Sequence, residues 1–274
     1  MFDNRNVIIT GGSSGLGKAL ARRLAERGAN LALIARDKSK LESTQQELSS
    51  VKSTSRKVLI YSCDVSDPAQ VEKTMARIAE ELGTPHLLIN SAGILKEGRC
   101  DCVELQIYRE VMGINYYGTL HFVKAVLPYF QEQGEGWIVN ICSLGGRMGI
   151  YGYSAYSSSK FAVLGLTESM RTELKPQNIK VQVVCPSEFE SPMVDELNKS
   201  RTKENRLLVH NIPVLNAEVV ADAVIKGMEK GRYMIMPGFV TRSFDFLDRL
   251  LPSLVRMVID TELKMAQRFV KQGG

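Results

Sequence analysis

Cysteine is scarce in this sequence and follows no pattern. The five cysteines among 274 residues (Cys63, Cys100, Cys102, Cys142, Cys185) form no CxxC pair and no Cys/His set with zinc spacing, so no metal site is expected. The odd count in a chain of this length points to reduced thiols in a cytoplasmic compartment, with Cys100 and Cys102 read as inert thiols in preference to a redox pair. Long apolar runs are also missing. No 18-residue hydrophobic stretch occurs, so no spanning helix is expected, and a strand begins by about Arg5, which leaves no room for a signal peptide. Charge of one sign is missing as well: 35 basic against 30 acidic residues give +5, scattered along the chain, with no basic tail and no Lys/Arg cluster interleaved with aromatics. This excludes a nucleic-acid footprint. Nor is there a linker or a repeat. What is present, 44% hydrophobic residues, is enough for the core of one large α/β domain.

Periodicity fills in that domain. Asn6–Thr10 is a short apolar run, read as a buried parallel strand. A glycine-rich turn follows, then a helix from about Lys18 closed by Gly28, then a second strand over Asn30–Ala35, a βαβ unit. The alternation continues with a polar helix over 38–50, a strand over 57–61 and a helix over 67–81 with Asp67 as N-cap and Pro68 at its first position. A strand at 86–90, one or two helices within 103–130, a strand at 137–141, a helix over 153–174 and a strand at 181–184 come next. After an irregular segment, a helix over 218–231 and a strand at 233–236 complete the pattern. Seven strands alternating with helices predict a Rossmann-type doubly wound α/β fold, a parallel sheet of seven strands with helices on both faces. The boundaries are residues 1–240 for this single domain and 241–274 for an amphipathic helical tail.

Tyr156-Ser-Ser-Ser-Lys160 carries the chemistry. Residues four apart share a helix face, which sets the Tyr156 phenol beside the Lys160 ammonium. A free phenol has a pKa of about 10; an adjacent cation is expected to lower it. Such a phenol exchanges a proton with a carbonyl or alcohol oxygen, and Ser143 is placed to hydrogen-bond the same oxygen. Tyr151 and Tyr153 are nearby rivals, but neither has a lysine four residues on. Taken singly, Ser143 reads as a loop serine and Asn115 as a helix-interior hydrogen bonder.

The first turn supplies a dinucleotide site. It reads Thr10-Gly11-Gly12-Ser13-Ser14-Gly15-Leu16-Gly17. Glycines let the backbone approach a pyrophosphate, and the helix N-terminus offers free N–H groups with a positive dipole end. Arg36 follows the second strand, where an arginine accommodates a 2′-phosphate and an acid binds the 2′-hydroxyl. Arg36 favours NADP(H); Asp37 is the counter-signal for NAD(H). Asp64-Val65, at the end of the third strand, is read either as a partner of the adenine amino group or as a helix cap.

In this order the motifs resemble the short-chain dehydrogenase/reductase family over about residues 5–240. The nucleotide turn matches Thr10–Gly17, the Asn-Asn-Ala-Gly segment appears as Asn90-Ser91-Ala92-Gly93, the helix asparagine as Asn115, the serine as Ser143, and the Tyr-x-x-x-Lys pair as Tyr156 and Lys160. The Pro-Gly-x-x-x-Thr segment appears as Pro186-Ser187-Glu188-Phe189-Glu190-Ser191, with a serine where the family has glycine. The resemblance implies that Tyr156 is the acid/base, that Lys160 binds the nicotinamide ribose and lowers the tyrosine pKa, that Ser143 polarises the carbonyl, and that Asn115 holds a relay water. It implies cofactor contacts from Gly11, Ser13, Ser14, Gly15, Leu16, Gly17, Arg36, Asp64, Val65, Asn90, Ala92, Gly93, Pro186 and Ser191. It also implies homodimers or homotetramers through the helices around 103–130 and 153–174.

On the substrate side the family places a mobile lid at 187–211, a polar stretch in which Phe189, Met193, Val194 and Leu197 line a channel or simply pack. From Phe244 to Ile259 apolar residues recur at helical spacing, with Pro252 kinking the helix or opening a second one. That tail either packs on its own domain or a partner, guards an apolar entrance, or lies peripherally on a membrane. Within the family the runs at 173–179, 186–192 and 203–206, and the tail, are similar to 3-ketodihydrosphingosine reductases, whose eukaryotic members begin with a membrane segment that this chain lacks. The expected activity is NADP(H)-dependent reduction of a ketone to a secondary alcohol, with a long-chain 3-keto lipid as the apolar substrate. The alternatives are steroid, retinoid or 3-oxoacyl substrates, and, in another class, a dinucleotide-sensing or scaffold protein without turnover.

Overall fold

The computed structural model describes residues 1–49, 57–210 and 212–273. Strands β1 (Asn6–Thr10), β2 (Asn30–Ala35), β3 (Val58–Ser62), β4 (Leu87–Asn90), β5 (Gly136–Ile141), β6 (Ile179–Val184) and β7 (Met234–Ile235) form one sheet in the order β3-β2-β1-β4-β5-β6-β7. Every pairing is parallel. The chain therefore reverses direction across the sheet between β1 and β4, whose last residues, Thr10 and Asn90, are register partners. A crevice opens beyond the carboxyl ends of strands at such a reversal.

The strands are nearly continuous apolar runs because both faces are covered. One face carries α1 (Gly15–Ala25), α2 (Lys38–Ser49) and α9 (Ala217–Glu229) over a core that includes Val7, Ile9, Leu20, Leu33 and Val224. The other carries α3 (Pro68–Leu82), α4 (Leu105–Met112), α5 (Gly118–Gln133) and α6 (Ser154–Leu174) over Ile8, Ile34, Met75, Phe122 and Ile138. Asp67 caps α3 by accepting from the Ala69 and Gln70 N–H groups, with Pro68 at the first position.

Four features differ from the expectation. Helix α1 starts at Gly15, three residues early, because the last glycines of the turn already form its first helical turn. The helices within 103–130 are one continuous rod interrupted by a π-turn over Gly113–Tyr117, which inserts an extra residue at Asn115. The irregular segment after β6 holds two short helices, α7 (Pro192–Ser200) and α8 (Lys203–Val209). Their starts are local chemistry: Ser191 accepts from Val194 N with Pro192 next in line, and Thr202 accepts from Asn205 N. Finally, β7 keeps only two residues.

The tail is two helices, α10 (Phe239–Leu250) and α11 (Pro252–Gly273), with Pro252 opening the second. Helix α11 packs on α8, while Phe246, Leu250, Leu254, Met257 and Phe269 stay exposed. One buried ion pair fastens the tail to the domain: Arg147 Nε lies 2.7 Å from Asp245 Oδ1, with the two side chains only 14% and 12% exposed. Among the described residues no helix is long and apolar enough to cross a membrane.

Candidate active site

The crevice beyond β1, β4, β5 and β6 encloses a cavity of about 370 Å³. Its floor begins at the glycine turn. Gly11 adopts φ +69°, and a Cβ there would sit 2.8 Å from Ala92 N; a Cβ at Gly17 would collide with the Gly11 carbonyl oxygen. Glycine is thus needed for the chain to fold back on itself here. Thr10 Oγ1 accepts from both Ser91 N and Ala92 N at 3.1 Å, which ties the loop after β4 to the end of β1. Ser14 is the N-cap of α1, yet its side chain makes no cap hydrogen bond. The first N–H groups of α1 therefore meet the cavity without a protein acceptor, the donor set an anionic diphosphate requires. Gly11, Ser14, Gly15 and Leu16 line this end of the cavity, as do Ala92, Gly93, Pro186 and Ser191. By this test the residues present fit a dinucleotide.

At the other end the α6 pair meets the end of β5. Tyr156, Lys160 and Ser143 all line the cavity. Lys160 Nζ donates to Ile141 O at 2.9 Å and lies 5.8 Å from the Tyr156 ring centroid. Ser143 lines the same end of the cavity as Tyr156, and its hydroxyl accepts from Gly145 N at 3.1 Å. The expected lowering of the phenol is not what this environment gives. Burial pushes the Tyr156 phenol above its usual value, with the nearby Ser143 hydroxyl as the opposing pull. Burial likewise lowers the Lys160 pKa, and its ammonium is directed at a carbonyl, not at the phenol oxygen. Desolvation disfavours the charged form of each group. The protein alone thus holds a protonated phenol beside a serine hydroxyl, an arrangement suited to giving a proton to a carbonyl oxygen.

Asn115 sits one layer behind. The π-turn aims its amide at the loop after β4: Oδ1 accepts from Ile94 N at 2.8 Å, while Nδ2 donates to Ile94 O at 3.0 Å and to Ser159 Oγ at 2.9 Å. A Cβ at Gly93 would stand 3.2 Å from Asn115 Oδ1 and 3.6 Å from Lys160 Nζ. Asn90 is likewise spent inside the protein, donating to Asn140 Oδ1 at 2.9 Å, and Asn140 in turn donates to Thr167 Oγ1. These buried amides lock β4, β5 and α6 in register.

The remaining predicted residues lie outside the cavity wall. Ser13 gives its carbonyl to Thr44, and Gly17 lies inside α1. Arg36 is exposed beyond β2; its carbonyl accepts from Ser62 Oγ at 2.9 Å, and among the described residues its guanidinium has no ion-pair partner. Its rival Asp37 is engaged locally, accepting from Ser39 Oγ at 2.7 Å and Lys40 N at 3.1 Å, and the Ser39 hydrogen bond holds its carboxyl below the usual range. Asp64 folds into a turn onto Ser66, so the cap of α3 is Asp67 instead. Val65 is buried against Gly118. Among the described residues no cluster of metal-ligating side chains occurs.

Over the cavity lies the lid. Phe189 lines it from the segment before α7, Met193, Val194 and Leu197 from α7, and Val209, Ile212 and Val214 from the end of α8 and the segment after it. Sequence reasoning missed a polar cluster in this apolar wall. Arg201 Nη1 donates to Glu188 Oε1 at 3.2 Å and Arg201 Nη2 to the Tyr153 hydroxyl at 3.1 Å. Glu188 and Arg201 are thirteen residues apart with a helix between them, a separation that no periodicity flags.

Comparison with known proteins agrees with this geometry. The family model of the short chain dehydrogenases matches residues 5–202. A 3-dehydrosphinganine reductase from Danio rerio is 36% identical over 234 residues, 85% of this chain and 70% of that protein. A 3-ketodihydrosphingosine reductase from Dictyostelium discoideum is 31% identical over 281 residues, 93% of this chain and 84% of that protein. Among solved structures, a short-chain dehydrogenase from Sphingobium yanoikuyae in complex with NADPH superposes with a TM-score of 0.77 at 29% identity, covering 92% of this chain and 95% of the other. One from Burkholderia phymatum in complex with NAD gives 0.82 at 26% identity over 92% and 95%. The chain belongs to the short-chain dehydrogenase/reductase family and is an oxidoreductase acting on C=O and CH–OH groups.

Proposed function

We propose that this enzyme is an NADP(H)-dependent reductase of a long-chain 3-keto lipid of the 3-ketodihydrosphingosine type. The observation that carries the reading is the buried Tyr156 phenol, which shares with Ser143 and Lys160 the inner end of a cavity whose outer wall is largely apolar. Ser143 orients the ketone oxygen, and Tyr156 gives that oxygen a proton as negative charge develops on it. A bound reduced nicotinamide would supply the hydride, and the glycine turn, Lys160 and Ser191 are the residues that would hold it. Asn115 fixes the loop after Gly93 through the Ile94 backbone. The apolar lid residues take the alkyl chain and exclude water. Two relatives named for reducing 3-ketosphingoid lipids support the substrate class.

For the cofactor, Arg36, without an ion-pair partner among the described residues, and the locally satisfied Asp37 favour a 2′-phosphate. A ketone panel that includes 3-ketodihydrosphingosine, followed by NADPH absorbance with the wild-type enzyme and R36A, tests both points. We expect the long-chain 3-keto lipid to be the preferred substrate with NADPH. R36A should weaken NADPH about 10- to 100-fold while leaving NADH within a few-fold, the cost of a lost charged hydrogen bond. Equal loss for both cofactors rejects the NADP(H) assignment, and a short soluble ketone turned over best rejects the lipid.

Two groups of exposed apolar residues stand out. Leu105, Tyr117 and Phe161 stand on the helices that would pair two copies, and the α10–α11 stripe would rest on a lipid surface. Light scattering after gel filtration, with and without phosphatidylcholine vesicles, separates these readings. We expect twice the chain mass alone and co-elution with vesicles; a single-chain mass rejects the pairing, and an unshifted peak rejects the lipid contact.

A further inference from the structure

Glu188 is the one acidic residue among the described residues that line the cavity. It follows Pro186, whose carbonyl accepts from Leu144 N at 2.8 Å, one residue beyond Ser143. Its own carbonyl accepts from Leu215 N at 3.1 Å, beside the bridge between Phe189 and Leu215. The backbone is thus fixed on both sides, and the side chain is held by Arg201, with 17% and 5% of the two side chains exposed. Arg201 also donates to Tyr153, whose ring meets that of Tyr156 edge-on at 6.0 Å between centroids. A carboxylate is therefore anchored on the cavity wall two side chains from the proton donor, with Arg201 and Tyr153 between them, beside the apolar Leu95, Ile150 and Leu197.

Stability does not explain this pair. Desolvating two charges costs about as much as their attraction returns, and apolar residues of the same shape would serve the fold as well or better. An ionised carboxylate has about four acceptor positions. A two-pronged guanidinium uses two, which leaves the others for donors from a ligand.

Resting on the reductase reading above, we propose that Glu188, positioned by Arg201, recognises a cationic amino group on the carbon next to the ketone, so that the enzyme selects α-amino ketones over plain ones. The other charged groups on the wall are Arg201 itself, Lys160, which donates to Ile141 O at 2.9 Å, and Arg206, which is engaged with Asn198 O at 3.1 Å. All three are cationic, so Glu188 is the one anionic partner for a cation among the described residues of the wall.

The test compares 3-ketodihydrosphingosine with the ketone of equal chain length that lacks the amino group, using wild-type enzyme, E188Q and E188D. Wild type should prefer the amino ketone by about 10- to 100-fold in kcat/KM, the range for a charge-assisted hydrogen bond, with most of the difference in KM. E188Q should bring the two ketones to within a few-fold of each other, and E188D should keep part of the preference. A preference that survives E188Q unchanged overturns the proposal, and so does a wild-type enzyme that treats the two ketones alike, a result that needs no variant to fold. Turnover of the plain ketone with no preference overturns the Glu188 role alone; turnover of neither overturns the reductase reading and the proposal with it.

Discussion

Y156F is expected to retain about a thousandth of wild-type turnover while binding NADPH as before. A positioned general acid contributes about 10²- to 10⁴-fold, and phenylalanine removes the proton without emptying the volume. The neighbourhood explains why no substitute steps in. The Tyr153 hydroxyl accepts from Arg201 Nη2, and burial pushes that phenol up to about 12, which ties its oxygen to the lid. Tyr151 lies on the opposite side of Gly152, outside the cavity wall. Steady-state absorbance gives the turnover, and NADPH fluorescence gives the binding. Activity within threefold of wild type would refute Tyr156 as the acid. Loss of NADPH binding together with turnover would show that the substitution disturbed the crevice instead. The direction of the phenol shift adds a sign: the folded-state value is raised, so the phenol stays protonated through neutrality. Ketone reduction should accordingly show no loss of rate assignable to Tyr156 ionisation between pH 6 and 9.

D245N should lower stability by about 3 kcal/mol, the lower end for removing one partner of a buried ion pair. Arg147 then keeps its charge at 14% side-chain exposure with no carboxylate to meet it. At this chain length about 3 kcal/mol corresponds to roughly 6–12 °C in Tm. Asp245 also lies 3.2 Å from Arg249, whose side chain is 55% exposed, and that contact contributes little. R249Q is therefore the internal control and should shift Tm by a degree or two at most. Equal small shifts for both variants would mean that the Arg147–Asp245 contact is not held in solution. Arg147 directly follows the 3-10 turn that begins after Ser143, so D245N should also depress kcat. This changes how a tail truncation is read: cutting after Arg242 removes Asp245 along with the apolar stripe, and a general loss of activity would report the missing ion pair before it reported anything about lipid.

The parts of this molecule legible in the sequence are those that local rules determine. Strand runs buried on both faces, the Asp67-Pro68 cap and the spacing of Tyr156 and Lys160 each follow from one short window. The π-turn at Asn115 does not, because inserting one residue into a helix leaves the apolar period almost intact. The caps at Ser191 and Thr202 were present in the sequence, but the charged composition of the segment masked the two helices they start. The direction of the Tyr156 shift is not legible in the sequence, because spacing reports the neighbouring cation but not the depth of burial, and burial is the larger effect. The Glu188–Arg201 and Arg147–Asp245 pairs join residues that only tertiary folding brings together.

Ser191 serves two structures at once. Its hydroxyl accepts from Val194 N to begin α7, and its Cβ lies 3.4 Å from where a side chain on Gly15 would start. The hinge of the roof thus touches the floor of the nucleotide cleft, and a roof that has come down obstructs the path by which a dinucleotide arrives. Kinetically this predicts a compulsory sequence, with nucleotide first on and last off. Product inhibition by the oxidised nucleotide should then be competitive against its reduced form and noncompetitive against the ketone.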